Sequence, residues 1–209
     1  MNPAAPATPV TTSTLLWAED LGFTYPGHPL FAGLCFAIRP GLTLVRGGDG
    51  RGKTTLLRLL AGTLTPGSGV IHRHAAEVFH EQPADRAHDK AVALGWLAAL
   101  RPRFAGWDDD VAGSLMDAFG LNEHAPKPLY MLSTGSQRKL GLVAAAASGA
   151  ALTLLDTPYA ALDAPSSRVL DQLLTEAAAG ERRAWVLADG ECPAGLAGVP
   201  LAGLIELGD

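Results

Sequence analysis

Gly47-Gly48-Asp49-Gly50-Arg51-Gly52-Lys53-Thr54 fits the pattern G-x-x-x-x-G-K-[ST] and sits between an apolar run and a helix-like one. Leu42 to Val45 read as a buried strand, and Thr54 to Leu60 continue as a helix. Glycines between the two permit a tight loop whose backbone N–H groups point inward, beside a helix N-terminus that favours negative charge. The pattern implies a phosphate cradle in which Lys53 reaches the β- and γ-phosphates and the Thr54 hydroxyl takes a place on Mg²⁺. The cradle comprises Gly47, Gly48, Asp49, Gly50, Arg51, Gly52, Lys53, Thr54 and Thr55. A strand–loop–helix unit of this kind belongs in a mainly parallel α/β sheet.

The rest of the chain is compatible with that core. Its 209 residues are 48% hydrophobic, enough to bury one substantial core, and a single domain of residues 14–209 is expected. Acidic residues outnumber basic ones, 21 to 16, and the basic ones are scattered, which argues against a protein whose affinity rests on neutralising nucleic-acid phosphates. The two cysteines, Cys35 and Cys192, suggest no disulfide framework and fit a reducing cytoplasm. Residues 1–13, rich in Pro, Ala and Thr, read as a disordered leader without the features of a signal peptide. No apolar run approaches the roughly 18 residues of a membrane span, so any membrane contact is expected through a partner.

Along the chain, Gly33–Ile38 and Leu42–Val45 read as strands joined by the turn Arg39-Pro40-Gly41, which suits two neighbours in a sheet. Thr65 to Gly69 ends the helix after the cradle, and Val70-Ile71 and Val78-Phe79 read as short strands. Residues from about 86 to 147 become Ala/Leu-rich with helical spacing and read as an inserted helical lobe. Ala151–Leu155 and Ala184–Ala188 then read as buried strands around a helix from Ser166 to Ala179. The six histidines, His28, His72, His74, His80, His88 and His124, show no metal-site spacing and read as surface or loop residues.

Leu152-Thr153-Leu154-Leu155-Asp156 is an apolar strand ending in a carboxylate, the partner a phosphate loop needs if Mg²⁺ is to be held. Leu132-Ser133-Thr134-Gly135-Ser136-Gln137-Arg138-Lys139-Leu140 is a small-polar turn opening an Ala-rich helix, with Ser133 as its cap. Together with the cradle, these segments resemble the ATP-binding cassette (ABC) ATPases over roughly residues 15 to 190. The resemblance implies a P-loop NTPase core with a mainly parallel sheet, an N-terminal β subdomain and an inserted helical subdomain. It implies ATP and Mg²⁺ as ligands, a head-to-tail dimer with a second nucleotide-binding subunit, and a separate transmembrane permease. In that frame Ser133, Thr134 and Gly135 look like the signature facing the other subunit's γ-phosphate, although Thr134 stands where Gly is usual and Ser136 where Gln is usual. Tyr25, in Phe23-Thr24-Tyr25-Pro26, looks like the aromatic residue stacking on adenine. Gln82 resembles the loop glutamine that completes the Mg²⁺ shell and senses the membrane partner, and Asp163 resembles the D-loop acid at the dimer interface.

Two catalytic stations depart from the family. Thr157 stands where a Glu polarises the attacking water, and Asp189 stands where the switch histidine is expected. General-base assistance is typically worth about 10²–10⁴-fold in rate, so nucleotide binding is expected to survive and hydrolysis to be slow. Asp189 or Glu191 orienting water instead is one alternative to that loss; a solvated loop acid is the other. In the cradle, the Asp49 carboxylate must point away from phosphate, with Arg51 either pairing with it or contacting a partner. Two functions follow: the cytoplasmic ATP-binding subunit of an ABC transporter, resembling the short cassettes of exporters of the haem-exporter type, or a degenerate ATP-binding switch paired with a competent cassette. A cassette acting in translation or DNA repair fits less well, because those commonly carry tandem cassettes or long insertions.

Overall fold

Strand pairing divides the chain between two sheets. The computed structural model describes residues 14–75, 77–81 and 89–208, so the leader and Gln82 lie outside the described residues. Strand β1 (Leu16–Tyr25) turns through Pro26-Gly27 into β2 (His28–Ile38), and β4 (Ser68–Arg73) joins the other edge of β1, giving an antiparallel sheet of order β2-β1-β4. The second sheet contains β3 (Gly41–Arg46), β5 (Val78–His80), β6 (Leu152–Asp156), β7 (Ala184–Asp189) and β8 (Gly203–Glu206). Its order is β5-β6-β7-β3-β8 and every pair is parallel.

The expectation that β2 and β3 are neighbours is corrected by this topology. The turn at Arg39-Pro40-Gly41 carries the chain from one sheet to the other, and β3 pairs with β7 and β8. A turn signal fixes where the chain changes direction, whereas the five consecutive buried residues Gly41 to Val45 demand cover on both faces, as in a parallel sheet. That cover follows the two-residue period of a strand. Leu42 and Leu44, with Leu155, Trp185 and Leu187, face one core; Val45, Leu152, Leu154, Val186 and Ala188 face the other. The second core is closed by α1 (Lys53–Ala61), through Leu56, Leu57, Leu59 and Leu60, and by Leu16, Ala18 and Leu21 of β1.

The first core is closed by helices. Between β5 and β6 the chain forms α2 (Ala93–Leu100), α3 (Asp109–Ala118) and α4 (Thr134–Ala147), and α5 (Ala164–Ala178) joins β6 to β7. Helix α4 is Ala-rich because Leu140 through Ala147 is buried without a break, and small side chains let neighbouring elements approach it closely. Its C-terminal carbonyls are closed from a distance. The Arg183 guanidinium donates to the carbonyls of Ala145 (3.1 Å), Ala146 (3.0 Å) and Ala150 (2.9 Å) and to Thr153 Oγ1 (3.3 Å), and lies over the Trp185 ring. Replacing Arg183 by Ala leaves those acceptors without their donors, and a loss of about 2–4 kcal/mol is expected, or a melting temperature lower by roughly 10 °C. A loss below about 1 kcal/mol would show that water replaces the guanidinium.

Candidate nucleotide-binding site

The parallel register brings the chemistry to one edge of the sheet. Arg46 is level with Asp189 and Asp156 with Ala188, so the ends of β3, β6 and β7 open side by side. This carboxyl edge is where open α/β sheets place their ligands. The cradle follows β3. Gly50 and Gly52 take positive φ angles (77° and 93°), and Gly52, the N-cap of α1, is crowded by Phe31 of β2, so both space and conformation call for glycine. The first turn of α1 has no acidic residue to offset its partial positive charge.

Lys53 is buried and spans the loop, donating from Nζ to the carbonyls of Gly47 (2.6 Å) and Gly48 (2.9 Å). The Gly48 amide is directed elsewhere and donates to the Gly208 carbonyl at 3.1 Å. Thr54 Oγ1 donates to Asp156 Oδ2 at 2.6 Å, so the hydroxyl and carboxylate singled out for Mg²⁺ meet. Hard oxygen donors of this kind suit Mg²⁺. Tyr25 ends β1 with its hydroxyl 3.5 Å from Thr55 Oγ1 and its ring edge-on to Phe23, beside α1 and partly exposed. Asp49 points to solvent, with its nearest cation Lys53 at 4.0 Å; among the described residues no Arg51–Asp49 ion pair forms, so the pairing considered for Arg51 is not the arrangement found.

The signature residues meet a different segment. Ser133 caps α4, accepting from the Ser136 amide at 3.1 Å, and Thr134 is exposed. A Cβ at Gly135 would come within 2.5 Å of the Ala161 carbonyl, so only glycine permits this contact with the chain after β6. In that stretch Asp163 caps α5, and the bonds from Ser166 hold its carboxyl down at about 2. Thr157 takes φ 44°, an uncommon conformation for a β-branched residue, with its amide on the Ala188 carbonyl at 2.8 Å. Asp189 is the last residue of β7 and accepts from the Gly190 amide at 2.7 Å; Glu191 is exposed.

Two residues with no sequence signature stand behind Asp156. Glu81 and Arg138, both buried, form an ion pair at 3.4 Å, and Arg138 Nη1 also donates to the Asp156 backbone carbonyl at 2.7 Å. Burial pushes the Glu81 carboxyl up to about 7, against the opposing pull of Arg138. Only the position of Glu81 next to Gln82, and of Arg138 one turn into α4, hinted at them. His80 also differs from the surface reading: it ends β5, half-buried, and burial lowers its pKa, with Asp156 acting in the opposite sense. Phe79, His80 and Glu81, with Trp96, Phe104 and Gln137, line a cavity of about 390 Å³ between the sheet and helices α2 and α4.

The family described as ABC transporter matches residues 32–160. The cytochrome c biogenesis ATP-binding export protein CcmA of Hyphomonas neptunium is 34% identical over 174 residues, spanning 79% of this chain and 85% of that protein. The protein of the same name from Paracoccus denitrificans is 33% identical over 195 residues, 93% of this chain and 89% of the relative. A solved ATP-binding subunit of an ABC transporter shares the fold with a TM-score of 0.73, at 19% identity, over 84% of this chain and 79% of that one. The chain belongs to the ABC transporter family. Within it, the chain is an ATP-binding subunit, with the P-loop fold and parallel sheet of that class.

Proposed function

We propose that this chain binds Mg-ATP in the 47–55 cradle, closes head to tail on a second nucleotide-binding subunit, and drives a separate membrane permease from the cytoplasmic face. The convergence of Thr54 on Asp156 carries this reading, because it joins the cradle to the strand-end carboxylate at hydrogen-bond distance. Lys53 has three N–H donors and gives two to Gly47 and Gly48, which leaves one for a β- or γ-phosphate oxygen. Thr54 and Asp156, with Gln82 as the sequence expects, would hold Mg²⁺, which would supply charge neutralisation at the β- and γ-phosphates. Tyr25 offers a ring face to adenine, and Ser133, Thr134 and Gly135 present a helix N-terminus to the partner's γ-phosphate. Among the described residues no helix is long and apolar enough to cross a membrane, which supports a separate permease; the cavity between the sheet and α2/α4 is a place for its docking segment. The relatives' printed role as export proteins supports export as the direction and disfavours the degenerate-switch alternative.

Weak hydrolysis makes the dimer directly measurable. With Thr157 in place of a carboxylate, bound ATP is expected to persist, so wild-type protein should run as a monomer without nucleotide and as a dimer in Mg-ATP by light scattering. Ser133→Arg, which fills the helix N-terminus, should block dimerisation and leave ATP affinity within about threefold, a change worth under 1 kcal/mol. A monomer that binds Mg-ATP to saturation would overturn the head-to-tail reading.

A further inference from the structure

The Glu81–Arg138 pair lies at a junction that the cradle residues do not explain. Arg138 comes from α4, one turn after Ser133, and its side chain is only 8% exposed; that of Glu81 is 4% exposed. Glu81 extends β5 beside β6, its amide on the Leu154 carbonyl at 3.1 Å. Its side chain packs on α4 at Gly141, where a Cβ would stand 3.0 Å from Glu81 Cγ and Oε1. A larger residue at 141 would require the Glu81 side chain to shift. The guanidinium is held between Glu81 on one side and the Asp156 carbonyl on the other, and the Asp156 carboxylate takes the Thr54 hydroxyl. A continuous path of contacts thus runs from the start of α4 through Arg138 and Asp156 to the cradle.

Stability alone is a poor account of this pair. Burying two charges carries a desolvation cost that an ion pair at 3.4 Å with a single bridging nitrogen recovers only in part. Arg138 Nε is also buried with no hydrogen-bond partner among the described residues, which adds to the cost. Apolar side chains of similar volume would fill the same space without either penalty, but they could not donate to the Asp156 carbonyl.

We propose that Arg138, oriented by Glu81, is a positioning residue that fixes the Asp156 main chain from α4 and so holds the Asp156 carboxylate in place on Thr54. The assignment rests on the Mg-ATP reading above. Its consequence is specific to the metal: Arg138 touches neither the cradle glycines nor Lys53, so it acts on Mg²⁺-dependent binding and leaves metal-free nucleotide binding alone.

The test uses the full chain, a fluorescent ATP analogue, and titrations with and without Mg²⁺. The double variant Glu81→Leu/Arg138→Met removes the pair without leaving an unpaired charge, and its melting temperature should stay within a few degrees of wild type, the desolvation saved offsetting the donor lost at the Asp156 carbonyl. Residues that orient metal ligands typically contribute 10–100-fold, so the Mg²⁺ concentration for half-maximal binding is expected to rise by about tenfold or more, with affinity in EDTA unchanged. Arg138→Lys keeps the charge on a side chain one bond shorter than the arginine that reaches both acceptors through Nη1, so it should show the same Mg²⁺ shift, and it serves if the double variant does not fold. A wild-type Mg²⁺ dependence in either folded variant overturns the proposal, as does an equal loss with and without the metal. Failure of wild-type protein to bind the analogue at all would instead overturn the Mg-ATP reading and this inference with it.

Discussion

Lys53→Ala is expected to lower ATP affinity by about two orders of magnitude while leaving the fold intact. The ammonium is buried in the loop whereas Arg51 is exposed, and hydrogen bonds to charged groups are worth about 1.5–3 kcal/mol, or 10–150-fold in affinity. The side chain also carries the loop, because the Gly47 and Gly48 carbonyls accept from its ammonium and lose that donor in the alanine variant. Both losses act in the same direction. Lys53→Arg separates them: it keeps the charge, but its planar fork cannot occupy the buried position between two adjacent carbonyls, so at least a tenfold loss, roughly, is expected there as well. Alanine at the first position of α1 is a good helix former, so melting should change little. Titration calorimetry of the two variants checks this, and an affinity for Lys53→Ala within about threefold of wild type would remove the cradle from the account.

The parts of the fold legible in sequence were those with a local physical cause. The strand–loop–helix of β3 and α1 announced itself through glycine spacing, and β6 through an unbroken apolar run ending in Asp156. The hydroxyl of Thr54 and the carboxylate of Asp156 could be paired on chemistry alone, and they lie in contact. What stayed hidden depended on pairing between distant segments. The passage of the chain between sheets at Pro40 has the same sequence appearance as a hairpin. Strand β8 buries only Ile205 and reads as part of a Gly-rich tail, yet it flanks β3 and leads to the Gly208 carbonyl on the cradle. Glu81 and Arg138 are ordinary surface residue types, and only the packing of α4 against β5 brings them into the interior. Residues acting through the backbone of others leave little trace in a motif.

Thr157→Glu is expected to raise ATP turnover by about 10²-fold or more with KM for ATP nearly unchanged, since general-base assistance is typically worth 10²–10⁴-fold. The position follows the strand that ends at Asp156, and a threonine hydroxyl cannot accept a proton from water near neutral pH. The backbone tolerates the change. At φ 44° a β-branched side chain is under more strain than an unbranched one, so glutamate relieves part of the cost of this conformation, and the Thr157 amide keeps its bond to Ala188 whatever the side chain. Relief of strain could itself alter the rate, and Thr157→Gly isolates that effect: it should stabilise the protein by up to about 1 kcal/mol and add no turnover. If wild type already hydrolyses at an ordinary motor rate and glutamate adds nothing, the missing base lies elsewhere, and Asp189→Asn with Glu191→Gln in single-turnover assays then locates it. Asp189 is the weaker candidate, because one of its oxygens already accepts the Gly190 amide and its charge would face a γ-phosphate of the same sign. A gain in turnover confined to Thr157→Glu, at unchanged affinity, therefore assigns slow hydrolysis to one side chain in an otherwise assembled site.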